Sequence, residues 1–173
     1  MKKATTLLAA AVLAAGCASM GEAPGPKAVG NLAATKGNSA SGTVTFEQRG
    51  SKVLVAGTIT GLKPGAEHGF HVHEKGDCSS GDGMSAGGHF NPLAKGHGHH
   101  GGMERHAGDM PNLRTESYGQ VSFSFETTGI TIGSGATDIV GRGLIVHRDP
   151  DDYKSQPAGN AGPRLACAVI AKG

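Results

Sequence analysis

Thirty of the 173 residues are glycine, and a long helix does not survive that density. Glycine in a helix interior costs about 1 kcal/mol against alanine, because it gives up the most backbone freedom and brings no side chain to pack. Short strands joined by turns and loops tolerate it. Residues 43–48 alternate, with Val44 and Phe46 on one face and polar residues on the other. Arg49-Gly50-Ser51 reads as a turn, 52–60 as a β-branched run, and Gly61-Leu62-Lys63-Pro64-Gly65 as another turn. Further strand-like runs cover 67–74, 120–125, 138–147 and 165–170. Short runs broken by tight turns predict an all-β antiparallel meander or Greek key, not a parallel sheet.

The N-terminus reads as export machinery. Lys2-Lys3 precedes an apolar run over 4–15 that is too short to span a bilayer and has the form of a secretory signal. It ends L-A-A-G-C, which resembles a bacterial lipoprotein signal with lipidation at Cys17. Ala14 stands where that motif usually has Leu, and the alternative is ordinary cleavage nearby. Residues 1–17 are therefore expected to be the signal and 18–27, with Gly21, Pro24, Gly25 and Pro26, a flexible tether. Residues 28–173 form one domain. Acyl chains on Cys17 would anchor it to a membrane, and Ala18 would favour the outer membrane, which places the protein in the periplasm or cell envelope. Without Lys2 and Lys3 the basic and acidic residues balance. No basic face for nucleic acid is implied. Cys78 and Cys167 remain as one pair, a disulfide in an exported protein or otherwise two buried thiols.

Two long segments, 75–114 and 148–163, lack periodicity, and loops of that length are commonly functional. Histidines crowd the first and its flanking strand: His71 and His73, then His89, His97 and His106, followed by Asp109. Imidazole suits copper and zinc, and a carboxylate suits zinc. His71 and His73 are two apart in a strand, so both rings leave one face and Val72 the other.

These segments resemble the bacterial copper/zinc superoxide dismutases. Gly69-Phe70-His71-Val72-His73-Glu74-Lys75-Gly76-Asp77-Cys78 and Gly159-Asn160-Ala161-Gly162-Pro163-Arg164-Leu165-Ala166-Cys167 carry the likeness. Between them lie Gly88-His89-Phe90-Asn91-Pro92, Glu104-Arg105-His106-Ala107-Gly108-Asp109 and Gly141-Arg142-Gly143-Leu144-Ile145-Val146-His147. The resemblance implies an eight-stranded Greek-key β-sandwich or barrel, immunoglobulin-like, with two long functional loops. It implies copper on His71, His73, His89 and His147, and zinc on His89, His97, His106 and Asp109, with His89 as the bridge. Asp151 would hydrogen-bond a copper histidine and a zinc histidine from behind. Cys78 and Cys167 would be the family disulfide.

The implied reaction takes two superoxide anions to dioxygen and hydrogen peroxide as copper cycles. His89 parts from copper and takes a proton, and Arg164 attracts and orients the anion. A non-catalytic copper/zinc-binding lipoprotein, a metal buffer or carrier, is the alternative. Retention of all copper ligands together with Arg164 favours the enzyme. Ala158 stands where many relatives have Thr, and a slightly wider or less polar channel rim is expected. His99 and His100 are read as solvated loop histidines rather than an auxiliary metal patch, and His68 as surface. Met84, Met103 and Met110 are read as loop packing rather than a copper path. Of Asp149, Asp151 and Asp152 only Asp151 has a matched role, and Lys154 is a candidate for the local field. Oligomeric state is not legible, and a homodimer is the alternative to a monomer.

Overall fold

The computed structural model describes residues 25–173. The expected signal, its lipidation site Cys17 and most of the expected tether lie outside the described residues. The strands in chain order are β1 (Lys27–Ala34), β2 (Ser41–Arg49), β3 (Lys52–Thr60), β4 (Glu67–His68), β5 (Phe70–His73), β6 (Leu113–Arg114), β7 (Val121–Thr127), β8 (Gly143–His147), β9 (Arg164–Val169) and β10 (Ala171–Lys172). Among the described residues the one helical element is a 3-10 turn, Met84–Ala86. β1 begins inside the expected tether, at Lys27.

Eight strands form one curled antiparallel sheet in the order β5-β8-β9-β1-β2-β3-β7, with β10 also on β1, and β4 and β6 pair separately. β1 closes the curl by changing partners. Ala28 and Val29 pair with β10, whereas Ala33 and Ala34 pair with β9. β7 lies beside β3, but the next strand in the chain, β8, lies between β5 and β9. The connection therefore crosses the barrel in Greek-key fashion, so the expected eight-stranded all-β architecture holds.

Alternation explains the interior. Val44 and Phe46 of β2, Val53, Val55 and Ile59 of β3, and Phe70 and Val72 of β5 are all fully buried. Burying each such side chain stabilises the fold by about 1.5–3 kcal/mol. β8 is buried along its whole length. Leu144 and Val146 join the main core, while Ile145 packs on the opposite face with Ala86 and Cys167. This is why its sequence is continuously apolar: one face meets the barrel interior and the other meets the two long loops. The expected 138–147 strand is shorter than its apolar run, since Asp138 makes only an isolated bridge to Thr131 and a turn follows before β8. Gly69 interrupts the expected 67–74 strand and divides β4 from β5.

Candidate metal centre

The histidines emerge on the loop-covered face of β5 and β8. His71 and His73 alternate with Phe70 and Val72, so the core residues fix the direction of the rings. The first long loop returns over them as an added layer of backbone. Val72 N–H donates to Gly108 O at 3.0 Å and Phe90 N–H to Val72 O at 2.8 Å. Gly108 permits that approach, because a Cβ there would lie 2.1 Å from Val72 O. The second loop closes from the other side. Gly159 has φ 64°, and a Cβ on it would collide with Asp151 and His97.

Two sets of four donors result: His71, His73, His89 and His147, and His89, His97, His106 and Asp109, all buried. The donor atoms of each set lie within 4.8 Å of one another, and His89 belongs to both. Their partners fix which nitrogen carries hydrogen. His73 Nδ1 donates to Gly87 O at 2.9 Å and His147 Nδ1 to Gly162 O at 3.0 Å. A carbonyl only accepts, so both neutral rings present bare Nε2 lone pairs to each other, 3.3 Å apart. Two lone pairs cannot hydrogen-bond. His71 Nε2 donates to Asp151 Oδ2 at 2.9 Å, which leaves its Nδ1 buried without a partner. His89 Nε2 is likewise unpartnered. Four inward lone pairs fit a soft or borderline cation and nothing else in the protein.

The second set centres on Asp109 Oδ1, which lies 2.8 Å from His89 Nδ1, 3.1 Å from His97 Nδ1 and 3.3 Å from His106 Nδ1. Its Oδ2 accepts from Gly98 N–H at 3.1 Å and His106 N–H at 2.8 Å. His97 Nε2 donates to Asp151 Oδ1 at 2.9 Å. Three imidazoles and one carboxylate around one point, with every remaining oxygen engaged, fit a closed four-ligand zinc site.

Electrostatics follow the packing. Burial pushes His73 and His147 well below the ordinary imidazole range, and neighbouring rings add to the shift. Burial, with His71 beside it, takes His89 down to about 4 against the pull of Asp109. Burial also opposes protonation of His97, but Asp109 and Asp151 outweigh it and push His97 up to about 9. The pH response of the metal-free protein has a definite sign. Between about pH 6.5 and 4 the unfolded chain takes up protons that the depressed rings refuse, so stability falls with pH there. Each such ring contributes up to about 1.4 kcal/mol per pH unit. His97 acts oppositely, and its contribution is lost as pH rises through about 9. The urea midpoint of the metal-free protein should therefore drop steeply below pH 6.5, decline as pH rises from about 6.5 to 9, and level off beyond. A flat profile over pH 4.5–9.5 would contradict this assignment of charge.

Arg164 reaches the same face through a bulge. β8 and β9 pair as Val146 with Ala166 and then His147 with Arg164, so Leu165 is the extra residue. A one-residue shift exchanges the faces of a strand, and here it turns Arg164 toward His147. Its guanidinium donates to Gly83 O at 2.6 Å and Gly87 O at 2.5 Å. A cavity of about 240 Å³ opens here, with Arg164, His73, His89 and His147 in its wall and Met84, Ala158 and Asn160 also lining it. The Cys78–Cys167 disulfide forms and ties this loop to β9.

Several sequence expectations need correction. His68 is fully buried, not surface, and its Nδ1 donates to the His147 carbonyl at 2.8 Å. It shares parity with Phe70 and Val72, which was the available signal. Only Met110 is loop packing, whereas Met84 and Met103 are 60% and 88% exposed. His99 is exposed, but His100 is half-buried beside Tyr153. Three supporting residues carry no motif. Asn112 pairs twice with the Asp151 backbone, Tyr153 accepts from Asn112 N–H, and the Gln156 amide pairs with the backbone of His97.

Comparison with known proteins agrees with this geometry. The family model for copper/zinc superoxide dismutase (SODC) matches residues 40–170. The chain is 43% identical over 133 residues to superoxide dismutase [Cu-Zn] 2 of Aquifex aeolicus (strain VF5), covering 75% of this chain and 78% of that protein. It is 43% identical over 135 residues to superoxide dismutase [Cu-Zn] of Paramecium bursaria Chlorella virus 1, covering 75% and 71% respectively. The crystal structure of the clock protein EA4 superposes with a TM-score of 0.77 at 42% identity, covering 84% of this chain and 93% of that one.

Proposed function

Because the chain belongs to the copper/zinc superoxide dismutase family, we propose that its two donor sets divide the labour of that enzyme, with copper on His71, His73, His89 and His147 and zinc on His89, His97, His106 and Asp109. The reaction is the dismutation of superoxide to dioxygen and hydrogen peroxide. Copper supplies the one-electron couple and zinc a fixed positive charge. His89 is the one ring shared by both sets, and its unpartnered Nε2 faces the copper side. That nitrogen is where a proton is held and released during turnover. Arg164, fixed by two backbone carbonyls in the wall of the cavity, draws the anion in and orients it.

The observation that carries the reading is the placement of Arg164 in the same cavity as three rings of the copper set. A metal buffer has no need of a guanidinium there. Arg164→Ala is expected to leave one copper and one zinc per chain and to lower the second-order rate by about tenfold or more at low ionic strength, the scale of local electrostatic steering. Much of the salt dependence should go with it. Full metal content with no dismutation in the unsubstituted protein would favour the buffer instead.

The protein's place in the cell is a further part of the proposal. Lys2-Lys3, the apolar run and Cys17 support export and membrane anchoring in the cell envelope. The Cys78–Cys167 disulfide supports an oxidising compartment such as the periplasm. Mass spectrometry of the mature N-terminus tests lipidation at Cys17. A homodimer rests on family likeness alone, and light scattering tests it.

A further inference from the structure

We propose that the cavity behind the zinc-side loop is a binding site for a small oxyanion, held by Arg105 and Lys95. The cavity measures about 350 Å³ and is lined by these two cations, by Gly101, Gly102 and Gly129, and by Met103 at its rim. It is separate from the channel that holds Arg164.

Arg105 is a buried charge with no carboxylate in direct contact. Arg105 is only 7% exposed. Its Nη1 donates to His106 O at 3.0 Å and, at longer range, to Ala107 O and Asp109 O at 3.5 Å. Its Nη2 donates to Thr128 O at 2.5 Å. All four acceptors are neutral carbonyls. Among the described residues no carboxylate pairs with it. Glu104, directly before it in sequence, turns out to solvent, and Asp109, which acts on it only through space, has both carboxylate oxygens engaged by the zinc set and by the Gly98 and His106 amides. A buried cation is costly unless an anion accompanies it, and dipoles alone offset part of that cost.

The surroundings leave room for the missing partner. A guanidinium has five N–H donors, and the carbonyls occupy only Nη1 and Nη2, so Nε has no acceptor in the protein. Gly129 lies over the group with φ 83°, and a Cβ there would sit 3.3 Å from Nη2, so no side chain screens it. Lys95 brings a second charge to the same cavity. It donates to Met103 O and meets Glu104 at 3.7 Å, a carboxylate that is 82% exposed. Arginine with an adjacent lysine matches the charge and fork geometry of phosphate, sulfate or a carboxylate. Such an anion would rest against the loop whose carbonyls belong to His106 and Asp109, and would steady the zinc ligands from outside.

Inorganic phosphate is the probe, added to the reduced, diamagnetic copper–zinc protein at low ionic strength, with chloride as the control. Nitrogen-15 NMR should show the Arg105 Nε–H and the Gly102 and Gly129 amides moving along one saturable curve that chloride does not reproduce. Lys95→Gln should leave dismutation unchanged and raise the phosphate midpoint about threefold, the weight of one partly exposed ion pair. Arg105→Lys, which keeps the charge and loses the fork, should raise it further. Shifts confined to Arg164 and the channel, or the same midpoint in the parent protein and in Lys95→Gln, would overturn the proposal. Neither result depends on whether the protein dismutates superoxide.

Discussion

Asp151→Leu should release zinc about 10- to 100-fold more readily while the barrel stays folded, the usual cost of removing the group behind a metal ligand. Asp151 joins the two sets from outside, with one oxygen on His71 Nε2 and the other on His97 Nε2, each at 2.9 Å. Because a carboxylate can only accept, both rings must keep hydrogen on Nε2 and turn a bare Nδ1 inward. Leucine removes the acceptor and leaves two buried N–H groups unsatisfied, at about 1–3 kcal/mol each. Copper should be held better than zinc, since His73 and His147 take their orientation from Gly87 and Gly162 instead. Asp151→Asn should be intermediate, because its amide accepts from one ring and confronts the other with a second donor. Chelator competition for each metal, with circular dichroism as the control for folding, measures this. Zinc affinity within twofold of the parent would show that Asp151 does not orient His97.

Removal of the Cys78–Cys167 disulfide should have the second large effect. The bond closes a separation of 89 residues. Chain entropy puts its contribution at up to about 4–5 kcal/mol, and losses of about 2–5 kcal/mol are usual for such bonds. The urea midpoint of the metal-free Cys78→Ser/Cys167→Ser protein should fall accordingly. Activity should fall as well, even with both metals bound. The segment after Cys78 carries Gly83 and Gly87, whose carbonyls hold Arg164, while Cys167 packs with Ala86 and Ile145. Once that segment is free, the guanidinium loses its aim. Reduction of the parent protein should reproduce both effects. If it moves neither the midpoint nor the rate, the bond is only a tether for an already fixed loop.

The sequence carried the barrel well where side chains alternate. Val44, Phe46, Val53 and Val55 announce the faces of β2 and β3, and the His71–His73 pair declares the outer face of β5. β1 was not legible, because Val29, Gly30 and Asn31 show no clean alternation and the strand divides its pairing between β10, β2 and β9. The two-residue strands β4 and β6 have too few positions for any period. At the site, the ligand spacing was legible because metal chemistry restricts residue type strongly. The supports made by Asn112, Tyr153 and Gln156 were not, because a hydrogen bond to backbone leaves little trace in residue identity. Arg164 is the instructive case. Strict alternation from Cys167 would point it into the core, and only the bulge at Leu165 brings it to the metal face.

The pairing of β5 with β8 also dictates the order of events as the chain folds. His71 stands opposite Ile145, two residues before His147, so the copper donors assemble only after the chain has closed a long loop. Contacts of such high sequence separation form slowly and late. The meander of β1, β2 and β3 needs only short turns and can form first. Metal capture then follows the rate-limiting barrier rather than guiding the chain over it. Copper and zinc should therefore leave the refolding rate nearly unchanged and slow unfolding instead. In that sense the two ions serve as a latch on a finished barrel, setting its lifetime more than its route of formation.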